Sequence, residues 1–276
     1  MSVSPIHTRI WQEEAEADNP FATRSAHCHG YDVYGRMLGR AGWADMVYLL
    51  FRGEAPTREQ SRLLETLAVA LANPGPREPS VYAAMCGGIG GSPAAANLMA
   101  ALAVGAGASG GAQEVFRAMT HWTECGDDPA QWMAVWLRRV TTLEPLADDT
   151  WPQPEHAAGF DPNGATTPTI VLQALEALSD AAGSGARLHW LQDHRTTLES
   201  ACGLPLAMTG VAAAAYADLG LRPEQGEMLH LLLRLPGAAV HALEQWEVGF
   251  KRFPFPPVEL LDDPATKAAP HEQEAA

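Results

Sequence analysis

RPEQGEMLHLLLRLPGAAVHALEQWEVGF, residues 222–250, is a long helical stretch interrupted once. Pro223 suits the first helical position, where its missing N–H costs nothing. Apolar residues then recur at helical spacing as far as Leu235. Pro236-Gly237 is expected to break or kink the chain before AAVHALEQWEVGF. Two polar residues sit among these apolar turns. Arg234 has the rigid fork that captures a carboxylate or phosphate. His241 reads either as a satisfied core histidine or as one facing a substrate. Just beyond, GFKRFPFPP sets Lys251 and Arg252 beside aromatics, either as a solvated pair at a helix end or as anion ligands.

Helical signals dominate the chain on either side. Thr57-Arg58-Glu59-Gln60 fits a capping box, and NPGP from Asn73 ends the helix it opens. Ser92-Pro93 reads as an N-cap followed by a first-turn proline. Further helices are expected over Ala130–Val140, Thr167–Ala182 and Leu188–Ala201. No stretch alternates convincingly enough to predict a strand. Thr141 to Pro168 reads as a loop region, and residues 263–276 as a disordered polar tail.

Two stretches carry no Asp, Glu, Lys or Arg: Pro79 to Gln113 and Ser200 to Ala217. A surface helix needs a polar face, so both are expected to be buried on most sides. A homodimer interface built from such helices is preferred over a purely intrachain core.

Bulk properties narrow the function classes. The chain has 276 residues, 47% of them hydrophobic and 18% charged, with a net charge of −15. That charge argues against nucleic acid and against anionic membrane surfaces. Four separated cysteines and the lack of a signal-like start point to a reduced, cytoplasmic protein. The run AAANLMAALAVGAGA is too short and too rich in small residues for a membrane span. His27-Cys28-His29 lacks a second ligand cluster, so no metal is expected. The glycine pairs fit neither a P-loop nor a dinucleotide fingerprint, and no GxSxG elbow is present.

Five segments, in order and at matching spacing from about residue 25 to 255, resemble the citrate synthases and citryl-CoA lyases. They are HGYDVYGRMLGRAGWADMVYLLFRGEAPT (29–57), ASGGAQE (108–114), GFDPNGATTP (159–168), LAMTGVAAAAYADLGLRP (206–223) and RLPGAAVHALEQ (234–245). The resemblance implies an all-α fold, citrate synthase-like, with a large helical domain and a smaller inserted helical domain. The large domain would take residues 1–111 and 218–262, and the small one 112–217. It also implies a homodimer, and CoA or acyl-CoA as substrate with a citrate-like ligand.

Family chemistry needs an Asp base and two His residues around an acyl-CoA methyl group and a ketone. Carried over position by position, the enol-stabilising His becomes Ser109, the second His becomes Pro162 and the Asp becomes Thr209. The Asn before that Asp becomes Ala207. A one-residue shift in the loop would bring in His156 or Asp161 instead. Ser109, Thr209 and His241 are the candidate catalytic residues; Gly110, Gly111, Arg234, Lys251 and Arg252 are the candidate substrate-binding ones. Two readings stay open. One is an acyltransferase or citryl-CoA lyase working by altered chemistry. The other is an inactive binding, regulatory or partner subunit, pairing with itself or with an intact paralogue.

Overall fold

The computed structural model describes residues 6–141, 156–183, 186–258, 260 and 261. The predicted tail at 263–276 and much of the expected loop, 142–155, lie outside them. The described residues are mainly helical. In chain order they form α1 (Trp43–Arg52), α2 (Arg58–Leu71), α3 (Pro79–Ile89), α4 (Ala94–Gly105), α5 (Ala112–Cys125), α6 (Pro129–Thr141), α7 (Thr169–Ala181), α8 (Arg187–Cys202), α9 (Met208–Asp218) and α10 (Pro223–Val248).

Local signals account for several of these bounds. Thr57 Oγ1 accepts from Gln60 N (3.2 Å) while Gln60 Oε1 accepts from Thr57 N (2.8 Å), which closes the capping box of α2. Helices α1 and α8 end on Gly53 and Gly203, both left-handed. At α4 the helix begins one residue later than the sequence implies, with Pro93 itself as N-cap.

Three features differ from expectation. A small antiparallel sheet precedes the helices, with β1 (Trp11–Ala15), β2 (Thr23–Cys28) and β3 (Tyr31–Asp32) in that order. β1 is almost wholly exposed and carries Glu13 and Glu14. It therefore lacks the period-2 apolar pattern that marks a half-buried strand.

Helix α10 runs through Pro236 without ending. The Gly237 N–H donates to the Ala72 carbonyl at 2.7 Å. A Cβ on Gly237 would lie 2.7 Å from that carbonyl oxygen and from Asn73 Cα, so only glycine lets α2 and α10 approach this closely. This tertiary bond anchors α10 to the end of α2 beside the proline, and the helix continues.

The two charge-free stretches have different fates. Helix α9 is buried from Thr209 to Tyr216 within this one chain, packed against α5, α7, α8 and α10. No second subunit is needed to explain its composition, which corrects the interface reading for that helix. Helix α4 buries only Asn97, Ala101 and Gly105, while Met99 and Val104 are exposed.

The main core joins α1, α2 and α5 to α10. It contains an aromatic cluster. Trp132 meets Trp122 edge-on at 4.9 Å and Trp136 at 5.8 Å; Trp190 packs on Trp122 at 5.3 Å, and Phe160 on Trp136 at 5.3 Å. Such pairs add about 0.5–1.5 kcal/mol each beyond area burial. They tie α5, α6 and α8 to the chain around Phe160. A second, smaller core lies between α3, α4 and α10 and is closed by Phe253 against Tyr82.

Candidate functional site

The loop before α5, the loop at Ala157–Asp161 and the start of α9 converge on one carboxylate. Glu114, in the first turn of α5, is 2% exposed. Its Oε1 accepts from Thr209 Oγ1 and from Gly159 N, both at 2.9 Å. Its Oε2 accepts from Gly110 N. His156 Nε2 lies 3.8 Å from that same oxygen, with its side chain only 9% exposed. Glu114 also stands at the N-terminus of α5, where free backbone N–H groups suit an acceptor. Glycine makes the convergence possible. Gly110 has φ +71° and Gly159 φ +90°. A Cβ on Gly159 would sit 2.9 Å from Gly210 Cα, so the loop and α9 touch backbone to backbone.

A second polar chain begins at the other group of Gly110. Arg234 donates to the Gly110 carbonyl (3.3 Å) and pairs with Glu78 at 2.6 Å. Glu78 also caps α3, its Oε2 accepting from Ser80 N (2.9 Å) and Val81 N (3.1 Å). Arg234 NH1 lies 3.4 Å from His230 Nε2, and His230 Nδ1 lies 3.4 Å from the Tyr216 hydroxyl. Burial, reinforced by the Arg234 charge, pushes the His230 pKa down to about 3, so this imidazole is neutral at pH 7. Burial holds the Tyr216 phenol well above its ordinary range. Gly110 thus links two networks: its N–H goes to Glu114 and its C=O to Arg234.

The residues singled out in the sequence fall into two groups. Thr209, Gly110 and Arg234 belong to this linked network, with Gly111 as the N-cap of α5. Ser109 and Pro162 are exposed. His241 stands two turns beyond Arg234 on α10, with Nδ1 3.4 Å from Glu244 Oε2. Lys251 and Arg252 are exposed on a short 3-10 turn, Phe250–Arg252. Glu114 and His230 were missed as participants. Glu114 is the first charged residue after the charge-free stretch 79–113, which is a readable hint.

The arrangement has a definite chemical character. Thr209 is a hydrogen-bond donor to a carboxylate, so its oxygen is not poised to take a proton. Arg234 is already neutralised by Glu78. Among the described residues no group of three or more His, Cys, Asp or Glu is placed to hold a metal, and no helix is long and apolar enough to cross a membrane. His27 Nδ1 and His29 Nε2 are buried without a hydrogen-bond partner among the described residues, and His29 takes a left-handed φ of +48°.

Neither a protein-family model nor a curated protein sequence matches the chain. Solved structures do. The chain is similar to a citryl-CoA lyase from Hydrogenobacter thermophilus, at 20% identity and a TM-score of 0.69, over 93% of this chain and 97% of that one. It is similar to ATP citrate lyase from Methanothrix soehngenii, solved with citrate and coenzyme A, at 15% identity and a TM-score of 0.66 over 90% of this chain. It is also similar to a variant of Methanosaeta concilii ATP citrate lyase in complex with (3S)-citryl-CoA, at 14% identity and a TM-score of 0.67 over 98% of this chain. The match spans 40% and 44% of those two longer chains. The likeness covers nearly the whole of this protein and nearly the whole of the lyase: the chain has the citryl-CoA lyase fold, a citrate synthase-like fold of mostly helical architecture.

Proposed function

We propose that this protein is a non-catalytic member of the citrate synthase-like fold, a binding or partner subunit that has given up acyl-CoA carbon–carbon bond chemistry. One observation carries the reading. The position expected to hold the base is Thr209, and its hydroxyl donates at 2.9 Å to a buried carboxylate that two backbone N–H groups also hold. A donor locked in that way has no capacity to remove a proton from a thioester methyl group.

CoA thioesters and citrate-like acids are the ligand classes of the similar structures, and Lys251 and Arg252 are two adjacent exposed cations suited to a phosphate. The exposed apolar side chains of α4 and α10, Met99, Val104, Val240, Leu243 and Trp246, favour pairing with a second copy or an intact paralogue. The division into 1–111 with 218–262 and an inserted 112–217 belongs to this proposal, as does a cytoplasmic setting, which four free cysteines suit.

A specific contact favours a second reading. His156 and Glu114 form a shielded acid–base pair beside the Gly110 loop, the elements of an altered chemistry. The two readings separate in an assay of citryl-CoA cleavage and of acetyl-CoA condensation with keto acids. The non-catalytic reading predicts no turnover above the buffer rate. Turnover abolished by Glu114→Gln or His156→Gln in a folded variant would establish the second reading instead.

A further inference from the structure

A groove of about 440 Å³ opens between α1, α2 and α10. That volume is within the range of small-molecule sites. Leu232 and Pro236, which line it, stand on the face of α10 opposite Arg234, so it is separate from the Glu114 network. Its walls are apolar, with Trp43, Ala68, Val69, Ala72, Leu232 and Pro236 on them. Trp43 and Val69 are well exposed at its mouth.

Its polar groups are almost all acceptors. Glu65 lines the groove and makes no hydrogen bond or ion pair among the described residues. The Asp45 carboxylate accepts from Gly42 N at 2.7 Å and from Ser61 Oγ. The interruption of α10 adds to this. Pro236 has no N–H for the Leu232 carbonyl, and the neighbouring Gly237 N–H donates outside the helix, to the Ala72 carbonyl. The Leu232 carbonyl at the groove wall thus loses its ordinary i+4 donor. No Lys, Arg or His lines the groove. Unmet acceptors and two carboxylates beside an aromatic face favour a donor-rich cation on an apolar body.

We propose that this groove binds a small organic amine, protonated and carrying an aromatic or aliphatic group. The ammonium lies between Glu65 and the opened turn of α10, and the apolar body packs on Trp43, Val69 and Leu232.

The test is calorimetric titration of the full chain with phenethylamine, against phenethyl alcohol and phenylpropanoate as neutral and anionic controls. The amine is expected to bind about tenfold or more tightly than the alcohol, with the acid weakest. Glu65→Gln, at an exposed position, is expected to remove most of that preference while leaving the alcohol unchanged. Val69→Lys supplies a cation of its own and is expected to abolish amine binding, with an unchanged circular dichroism spectrum. Equal binding of amine and alcohol, no amine binding at millimolar concentration, or an amine affinity unchanged in Glu65→Gln would each overturn the proposal.

Discussion

Arg234→Met is expected to lower the folding stability by about 3–5 kcal/mol, the cost of leaving one member of a buried ion pair alone. Methionine keeps much of the length and apolar volume of the arginine stem, so packing is largely preserved. What is lost is charge and donors. Glu78 Oε1 loses its partner at 2.6 Å, and the Gly110 carbonyl loses its donor at 3.3 Å. Both side chains of the pair are more than four-fifths buried, so water compensates little. For a chain of this size the melting temperature should fall by roughly ten degrees. Adding Glu78→Gln to the variant removes the uncompensated charge and should restore part of the loss, because the amide oxygen can still accept from the first turn of α3. Denaturant unfolding of the two single variants and the double variant measures the coupling. A loss below about 1 kcal/mol for Arg234→Met would show that the pair contributes little to the fold.

The second large effect is on acid stability. His230 is 2% exposed and its pKa is depressed from 6.5 to about 3. The unfolded chain takes up a proton near pH 6.5, and the folded chain does not until near pH 3. Across that window the unfolded state binds more protons, so folding stability falls as pH falls. The contribution amounts to roughly 5 kcal/mol when the window is crossed completely. Asp218 works in the opposite sense, since burial raises its carboxyl pKa. The quantity to read is therefore the difference in slope between wild type and His230→Gln. The variant is expected to be less stable at pH 7 but to lose stability less steeply between pH 6.5 and 4. Parallel slopes would mean that His230 is charged in the folded protein or reached by water.

The same two networks show why the sequence revealed the fold better than the site. Order and spacing of apolar and turn residues survive divergence, because a helix start such as Thr57 or a helix end such as the NPGP from Asn73 is set by backbone geometry. Those signals are local or recur along the chain. The Glu114 cluster has neither property. Its members come from residues 110, 114, 156, 159 and 209, and nothing in their spacing places them on one carboxylate. Comparison with the family drew attention to Ser109, Pro162 and Thr209, where chemistry was expected, and away from Glu114. The structure leaves Ser109 and Pro162 in solvent and turns Thr209 inward. Helix α9 shows a related limit: absence of charge reveals burial but not whether the burying partner is the same chain. At Pro236 the sequence pointed to a break or kink of the chain, but the helix continues through it. Nothing in the sequence showed that Gly237 would donate to Ala72 on α2 beside it.

The central claim is that no group in this protein removes a proton from a CoA thioester. It is tested most directly by incubating the protein with acetyl-CoA in deuterated buffer, with and without a keto acid, and following the methyl signal by NMR. This reads the first chemical step without requiring that the second substrate be known. The account predicts exchange at the buffer rate alone. Protein-dependent deuteration of the methyl group, lost in Glu114→Gln or Thr209→Val, would contradict it and identify the buried carboxylate as a working base.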